Sequence, residues 1–232
     1  SVKEKIHIPA GYKVIVKPGT NILFENNGQI ISESPFIALG TKKDSIHFRA
    51  KTKGNNNKGI LFLNTKGSIF KYVKFKGLRN YNDDFRTLPG SICFYESTVS
   101  FSNTTFDTNY GGDDLLNLVR SQFNITNSEL LNSNADALDS DFSNGVIKNT
   151  LFKNIGNDAI DISGANLKVT NIKIRNAKDK GISCGEDSKL IGNNINISDT
   201  SLPLSCKDLS IMTLNDVKII NSDVVFSVFQ KK

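Results

Sequence analysis

The sequence predicts an all-β fold: a single-stranded parallel β-helix, a solenoid of 22-residue coils. Three observations carry the prediction. Asn127, Asn149, Asn171, Asn193 and Asn215 stand 22 residues apart. Rows of 22 cut from Ser91 bring Phe94, Leu116, Leu138, Ile160, Ile182, Leu204 and Phe226 into the fourth column, apolar in every row. Short β-rich runs bounded by Gly, Pro and Asn recur along the chain. A fixed period of about 20–50 residues is the mark of stacked repeats, each coil touching only its neighbours. An apolar column beside an Asn column fits one turn of a parallel β-helix. Right-handed winding is expected from the bias of parallel crossovers.

The elements follow in chain order. Residues 1–66 lack the clean period but keep the strand vocabulary, in Lys5–Pro9, Lys13–Lys17, Asn21–Phe24, Ile46–Phe48 and Gly59–Leu63. They are expected to form the first, irregular coils and a cap, because an exposed strand edge invites aggregation. Asn55–Asn57, with Lys53, Gly54 and Lys58, reads as a polar loop. Residues 67–232 form the regular coils, with a loop insertion at 79–89. That insertion is needed because Phe62 and Phe94 stand 32 apart, one coil plus ten residues. From Ser91 the rows are read without gaps to the end. One continuous domain of roughly nine or ten coils results. The chain opens without Met and stops after Lys232, within a coil, so a fragment of a larger chain is expected.

Strand alternation assigns the faces. Column four and column six (Leu118, Ile162, Cys184, Cys206, Val228) point inward, with Glu96 and Ser140 as exceptions. Columns five and seven point outward, carrying Asn117, Asp139 and Asp161, and Asp141. A second apolar strand holds Ile125, Ile147, Val169 and Ile191. The Asn column is expected to hydrogen-bond coil to coil, because Asn tolerates left-handed turns. The same reading covers Asn132, Asn154 and Asn176.

The net charge of +6 divides unevenly: residues 1–90 carry 16 basic against 6 acidic groups, and residues 91–232 carry 13 against 17. A basic end attracts an anionic polymer, or is a solvated Lys-rich surface. No nucleic-acid motif and no apolar run long enough to span a membrane are present. Cys184 and Cys206 share a column, so they are expected to stack as small core residues, and a disulfide between them is geometrically allowed but not required. No CxxC pairing points to metal bound by cysteine.

Column two is where chemistry is expected. It reads Ile92, Asp114, Asp136, Asp158, Lys180, Leu202 and Val224. Stacked carboxylates at a strand spacing of ~4.8 Å cannot all ionise cheaply. One becomes a usable general acid and its neighbour a base, at a separation of about 5 Å that suits a glycosidic bond. Three readings stay open. One is acid/base work on a sugar polymer. Another is a Ca²⁺ site drawing on Asp139, Asp141 and Asp161. The last is structural, with Asp at strand–turn junctions capping backbone N–H groups and Lys180 neutralising the ladder.

Asn134-Ala135-Asp136, Asn157-Asp158 and Lys180-Gly181 follow at one-coil spacings, with Ile182-Ser183 and Gly185 after them. This run of roughly 50 residues resembles the polygalacturonases and related pectin-acting β-helix enzymes. Their motifs are Asn-Thr-Asp, Asp-Asp and His-Gly. Asp136 and Asp158 match two of that family's essential carboxylates. Asn157 replaces the first Asp of the pair, Lys180 replaces the His, and Cys206-Lys207-Asp208 stands where the family has Arg-Ile-Lys. The resemblance implies a right-handed β-helix that engages a carbohydrate polymer in an extracellular or cell-envelope setting. Lys180 beside Asp158 also resembles, by residue type, β-helix lyases that use a Lys base beside Asp-bound Ca²⁺. The run from Asp136 to Glu186 also resembles envelope β-helix modules with no assigned activity. The expected site is therefore Asp136, Asp158 and Lys180 for catalysis, with Asp114, Asp139, Asp161, Glu186 and Arg86 contacting substrate. No cofactor is required, and Ca²⁺ is the one the acidic set can take. The expected partner is a polysaccharide or glycan, and the rival is a structural or adhesive β-helix domain of a larger protein.

Overall fold

The computed structural model describes residues 1–52 and 56–231, so Lys53, Gly54 and Asn55 of the expected polar loop lie outside the described residues. Among the described residues, twenty-four strands follow one another with no helix between them. Every named strand pair is parallel, and the partners lie one coil apart in sequence. Ten strands, from Lys5–Ile8 to Phe226–Phe229, form one sheet, called sheet I here, with one strand per coil. The remaining fourteen form sheet II. From Asn144 onward, one strand of sheet II covers two legs of the coil, as in Asn144–Ile155 and Asn166–Ala177. These strands bend at Asn149 and Asn171, where φ is 51° and 56°. Asn is one of few residues that enters that region readily.

The Asn columns form the expected ladders. Asn149 Nδ2 donates to Asn127 Oδ1 at 3.0 Å, and Asn171 Nδ2 to Asn149 Oδ1 at 2.8 Å. A parallel ladder links Asn132, Asn154 and Asn176 at 3.0 and 3.1 Å. A third ladder is made of hydroxyls and is buried. The N–H groups of Thr65, Ser97 and Ser121 donate to the Oγ of Ser97, Ser121 and Ser143, at 3.0, 3.1 and 2.9 Å. The Ser121 and Ser143 hydroxyls each donate onward to the carbonyl two residues earlier. These three N–H groups thus find acceptors although the bend is buried, as burial demands.

The core changes character along the axis. In the earlier coils, Phe rings stack coil on coil. Phe62 lies on Phe94 at 4.4 Å and 8°, Phe70 on Phe101 at 5.3 Å, and Phe75 on Phe106 at 5.2 Å. Later coils use Ile, Leu and Val, among them Leu138, Ile160, Ile174 and Ile182, all fully buried. Stacked like on like, these side chains fill a core whose cross-section repeats with each coil. Cys184 and Cys206 are strand partners as expected, and all three cysteines are free thiols.

The regular rows need two corrections. The 22-residue offset begins at Asp114, not Ser91. Across the preceding coil Ile92 pairs with Leu116 and Phe94 with Leu118, an offset of 24. A two-residue shift leaves every side chain on its own face, because the strand period is two. The apolar column therefore stayed apolar, and the shift was invisible. It does explain Glu96, expected as an inward exception. Glu96 is a left-handed turn residue with φ 49°, outside the strand Gly90–Tyr95.

The second correction is a single residue. In sheet II Asn166 pairs with Lys189 and Val169 with Gly192, an offset of 23. The extra residue sits at the turn where Glu186 and Asp187 both take positive φ. A one-residue slip inverts the faces, so Ile191, expected inward, is 53% exposed and Gly192 lies behind it. Asn194 rather than Asn193 continues the ladder, donating to Asn171 Oδ1 at 2.9 Å. Sheet I returns to 22, since Lys180 pairs with Leu202.

The insertion after Val73–Leu78 folds back over the outside of sheet I. Tyr81 is fully buried, and with Ile31, Leu61 and Cys93 it forms a small apolar cluster outside the coil. Asp83 holds the loop together. It accepts the Tyr81 hydroxyl at 2.7 Å and the N–H groups of Phe85 and Arg86 at 3.0 and 2.9 Å.

Candidate functional site

Asp114, Asp136 and Lys180 open the sheet I strands Asp114–Val119, Asp136–Asp141 and Lys180–Gly185, and Asp158 lies two residues before the strand Ile160–Ser163. Asp114, Asp136 and Asp158 are buried, at 1%, 7% and 3% exposure. Asp136 Oδ1 accepts the Asp158 N–H at 2.8 Å and the Asn157 side-chain amide at 2.7 Å. Asp158 Oδ1 accepts the Lys180 N–H at 2.9 Å, and the Lys180 ammonium lies 3.3 Å away while also meeting Asp179. Each carboxylate thus caps the strand of the next coil. Burial pushes Asp136 up to about 6 against its hydrogen bonds, with the Asp158 charge adding to the rise. Burial also raises Asp158, although Lys180 opposes it.

The solvent-facing chemistry lies on columns five and seven. Asp139 and Asp161 are strand partners, as are Asn117 and Asp139. One amide nitrogen, Asn117 Nδ2, reaches two carboxylates, Asp114 at 3.0 Å and Asp139 at 3.1 Å. Burial raises both acids, and the charge of each neighbouring carboxylate raises them further. Asp141 is raised by burial, then by Asp161 and Glu186. Asp161 Oδ1 is buried without a hydrogen-bond partner. Lys207 crosses the same face two coils beyond Asp161. Its ammonium donates to Ser183 Oγ at 3.1 Å, and its stem lies over Gly185. Arg86, expected beside these acids, is instead at the exposed tip of the insertion, where its charge is felt by Asp83. The base of that insertion does border the face: the Pro89 carbonyl accepts the Asp113 N–H at 3.0 Å.

Three residues of this face escaped sequence reasoning: Tyr95, Arg120 and Phe142. Arg120 Nη1 donates to the Tyr95 hydroxyl, and the guanidinium lies 5.7 Å from the Tyr95 ring and 5.8 Å from the Phe142 ring. Cation–π attraction favours this sandwich. Phe142 is 57% exposed. Arg120, Phe142, Gly164 and Glu186 are successive occupants of column eight, and each has φ between 47° and 59°. The signal was therefore in the period, as a turn column, but residue types so different from each other hid it. Gly164 makes room, since a Cβ there would meet the Phe142 ring at 2.7 Å.

A Ca²⁺ site drawing on Asp139, Asp141 and Asp161 was one of the three open readings. Among the described residues, no three Asp, Glu, His or Cys side chains gather to hold a metal ion.

Residues 115–229 match the family model described as right handed beta helix region. The fold is a right-handed parallel β-helix. Among solved structures, the catalytic domain of a GH87 alpha-1,3-glucanase in complex with tetrasaccharides is similar at 14% identity and a TM-score of 0.49. The likeness covers 98% of this chain and 53% of that one, so this β-helix spans about half its length. An alginate lyase from Paenibacillus sp. str. FPU-7 is similar at 12% identity and a TM-score of 0.41, over 97% of both chains. The enzymatically active domain of tailspike protein 2 from bacteriophage CBA120 is similar at 10% identity and a TM-score of 0.39, over 90% of this chain and 39% of that one. A search of the curated proteins gives no match. No helix among the described residues is long and apolar enough to cross a membrane.

Proposed function

We propose that this β-helix engages a carbohydrate polymer along the outer face of sheet I, in an extracellular or cell-envelope setting and as a module of a larger protein. The observation that carries the reading is the juxtaposition of an exposed aromatic ring with outward carboxylates on consecutive coils. Phe142 leaves its strand directly after Asp141, and Asp139 and Asp161 lie one coil apart. A pyranose ring has an apolar C–H face and a hydroxyl rim. The Phe142 ring, braced by Arg120, suits the first, as aromatic surfaces do in recognition sites. The Asp139 and Asp161 carboxylates suit the second, as acceptors for hydroxyl donors. Asp136, Asp158 and Lys180 support the face from behind by capping its strands.

Hydrolysis is the second reading, favoured by one observation. Asp139 and Asp161 are adjacent on parallel strands, ~4.8 Å apart at the backbone, and Asp139 is held toward its protonated form. Paired carboxylates about 5 Å apart, one of them protonated, are the arrangement for acid-assisted glycosidic cleavage with a carboxylate nucleophile. In this reading Asp139 protonates the leaving oxygen and Asp161 attacks the anomeric carbon.

The test is binding and turnover across neutral, amino-sugar and acidic polysaccharides, with Phe142→Ala and Asp161→Asn. At least one polymer should bind, and either substitution should weaken it by about tenfold, the equivalent of ~1.4 kcal/mol, with unchanged melting. New reducing ends lost in Asp161→Asn would establish the hydrolytic reading. Binding to no polymer, or binding indifferent to both substitutions, would remove the proposal.

A further inference from the structure

Sheet II carries a different chemistry on its outer side. Lys153 and Arg175 are strand partners, and Lys173 aligns with Asn196 and then with Lys218 on the next two coils. A groove of ≈ 590 Å³ runs beside the Asn ladder, lined by Asn149, Asn171, Lys173 and Arg175. A second groove of ≈ 300 Å³ shares Lys173 and Arg175 and ends on Lys218. Residues 91–232 have an excess of acids, yet Lys173, Arg175 and Lys218 line these grooves, with Lys153 the strand partner of Arg175. The carboxylates Asp139, Asp141 and Asp161 lie outside sheet I, whereas this cluster of cations lies outside sheet II.

The cations are also uncommitted. Lys51 and Lys76 on earlier coils are neutralised by Glu25 at 2.7 Å and Asp107 at 2.6 Å. Among the described residues, none of Lys153, Lys173, Arg175 and Lys218 joins an ion pair. Glu129 lines one edge of the larger groove, and Asp199 feels the Arg175 charge, so two acids stand against four bases. The ladder adds neutral donors. Asn171 and Asn149 each spend one amide hydrogen on the ladder, and an amide carries two.

We infer that these adjoining grooves are a docking site for an acidic glycan, whose carboxylate or sulfate groups meet Lys173, Arg175 and Lys218 and whose hydroxyls meet the Asn amides. Charge complementarity selects the sign of the partner. The absence of aromatic residues from the lining of both grooves argues against single-stranded nucleic acid, which binds by stacking its bases. The alternation of charged and amide groups suits a chain bearing both charges and hydroxyls. The inference concerns a separate face and does not rest on the reading of sheet I.

Affinity electrophoresis of the whole chain tests it, with polygalacturonate, dextran sulfate, uncharged dextran or single-stranded DNA in the gel, at low and high salt. Retardation by polygalacturonate, dextran sulfate or both, abolished by salt and absent with dextran, is the expected result. K173E/R175E should weaken it by about tenfold, and K173Q/R175Q by less. The charge-matched reversal K42E/K43E should leave it unchanged, and thermal melts confirm that each variant folds. Equal retardation of K173E/R175E and the unaltered protein would overturn the inference. So would no retardation by either polyanion, or stronger retardation by single-stranded DNA. Phe142→Ala, run alongside, separates this site from that on sheet I, because it should leave polyanion binding intact.

Discussion

Asp136→Asn should stabilise the protein at neutral pH. The Asp136 carboxylate is 7% exposed, and its pKa rises from 3.8 to about 6 in the folded state. Burial is the largest cause, and the Asp158 charge adds to it, outweighing the hydrogen bonds from the Asp158 N–H and the Asn157 amide. A raised carboxyl means that the folded chain holds its proton where the unfolded chain has lost it. Stability from this group is therefore complete below about pH 3.8 and is lost as pH rises through about 6. At ~1.36 kcal/mol for each tenfold change in proton concentration, the loss is about 3 kcal/mol. Asn keeps an oxygen for both donors and carries no charge, so it removes the penalty while keeping the cap. Urea unfolding of both proteins at mildly acidic and neutral pH is the assay. The variant should gain on the unaltered protein as pH rises, by up to about 3 kcal/mol. A variant less stable than the parent at neutral pH, with the deficit growing as pH rises, would refute the reasoning. It would show that the ionised carboxylate is the better cap.

Three further outcomes follow from the ladders and the turn column. Ser121→Ala leaves the Ser97 N–H without its acceptor in a buried bend, and unfolding should show a cost of about 1–3 kcal/mol. Asn171→Ala should lose more stability than Asn171→Gly. Both break the amide ladder, but only Ala is strained at φ 56°, by roughly 1–2 kcal/mol in thermal or urea unfolding. Gly164→Val places a side chain against the Phe142 ring at a φ of 59°. It should lower the melting temperature and shift the Phe142 ring resonances in NMR spectra, while Gly164→Ala does so less.

The fold was readable because a solenoid writes its period into the sequence. Asn127, Asn149 and Asn171 recur where each coil must bend left-handed, and that demand is local. Register was readable only modulo two. The 24-residue offset between Phe94 and Leu118 passed unnoticed because apolar residues alternate, whereas the slip that turned Ile191 outward depended on two turn residues, Glu186 and Asp187, whose φ no pattern announced. Which side chains face outward was legible along the same line. Columns five and seven were assigned outward, and Asp139 and Asp161 lie there together. Column eight went unread, because Arg120, Phe142, Gly164 and Glu186 share a backbone angle and nothing in their side chains. The serine ladder also went unread, because Ala165 interrupts it: the Ala165 N–H donates to Ser188 Oγ, but Ala165 offers no hydroxyl to the coil before. The capping role of Asp136 and Asp158 was one of three open readings, and only hydrogen-bond geometry distinguishes a carboxylate facing a strand end from one facing a substrate.

The surplus residue at Glu186–Asp187 has a consequence for how such a chain can change. The extra turn residue shifts the sheet II strand Lys189–Ser198 by one position, and the following turn, a residue shorter, restores the register before Leu202. Sheet I never registers the disturbance. Each corner of the coil works as a buffer that absorbs a phase error within one revolution. An insertion or deletion can thus rewrite which side chains one wall displays while the opposite wall keeps its alignment. Two surfaces on one rod can drift apart in chemistry, each revised separately, without the stack between them losing step.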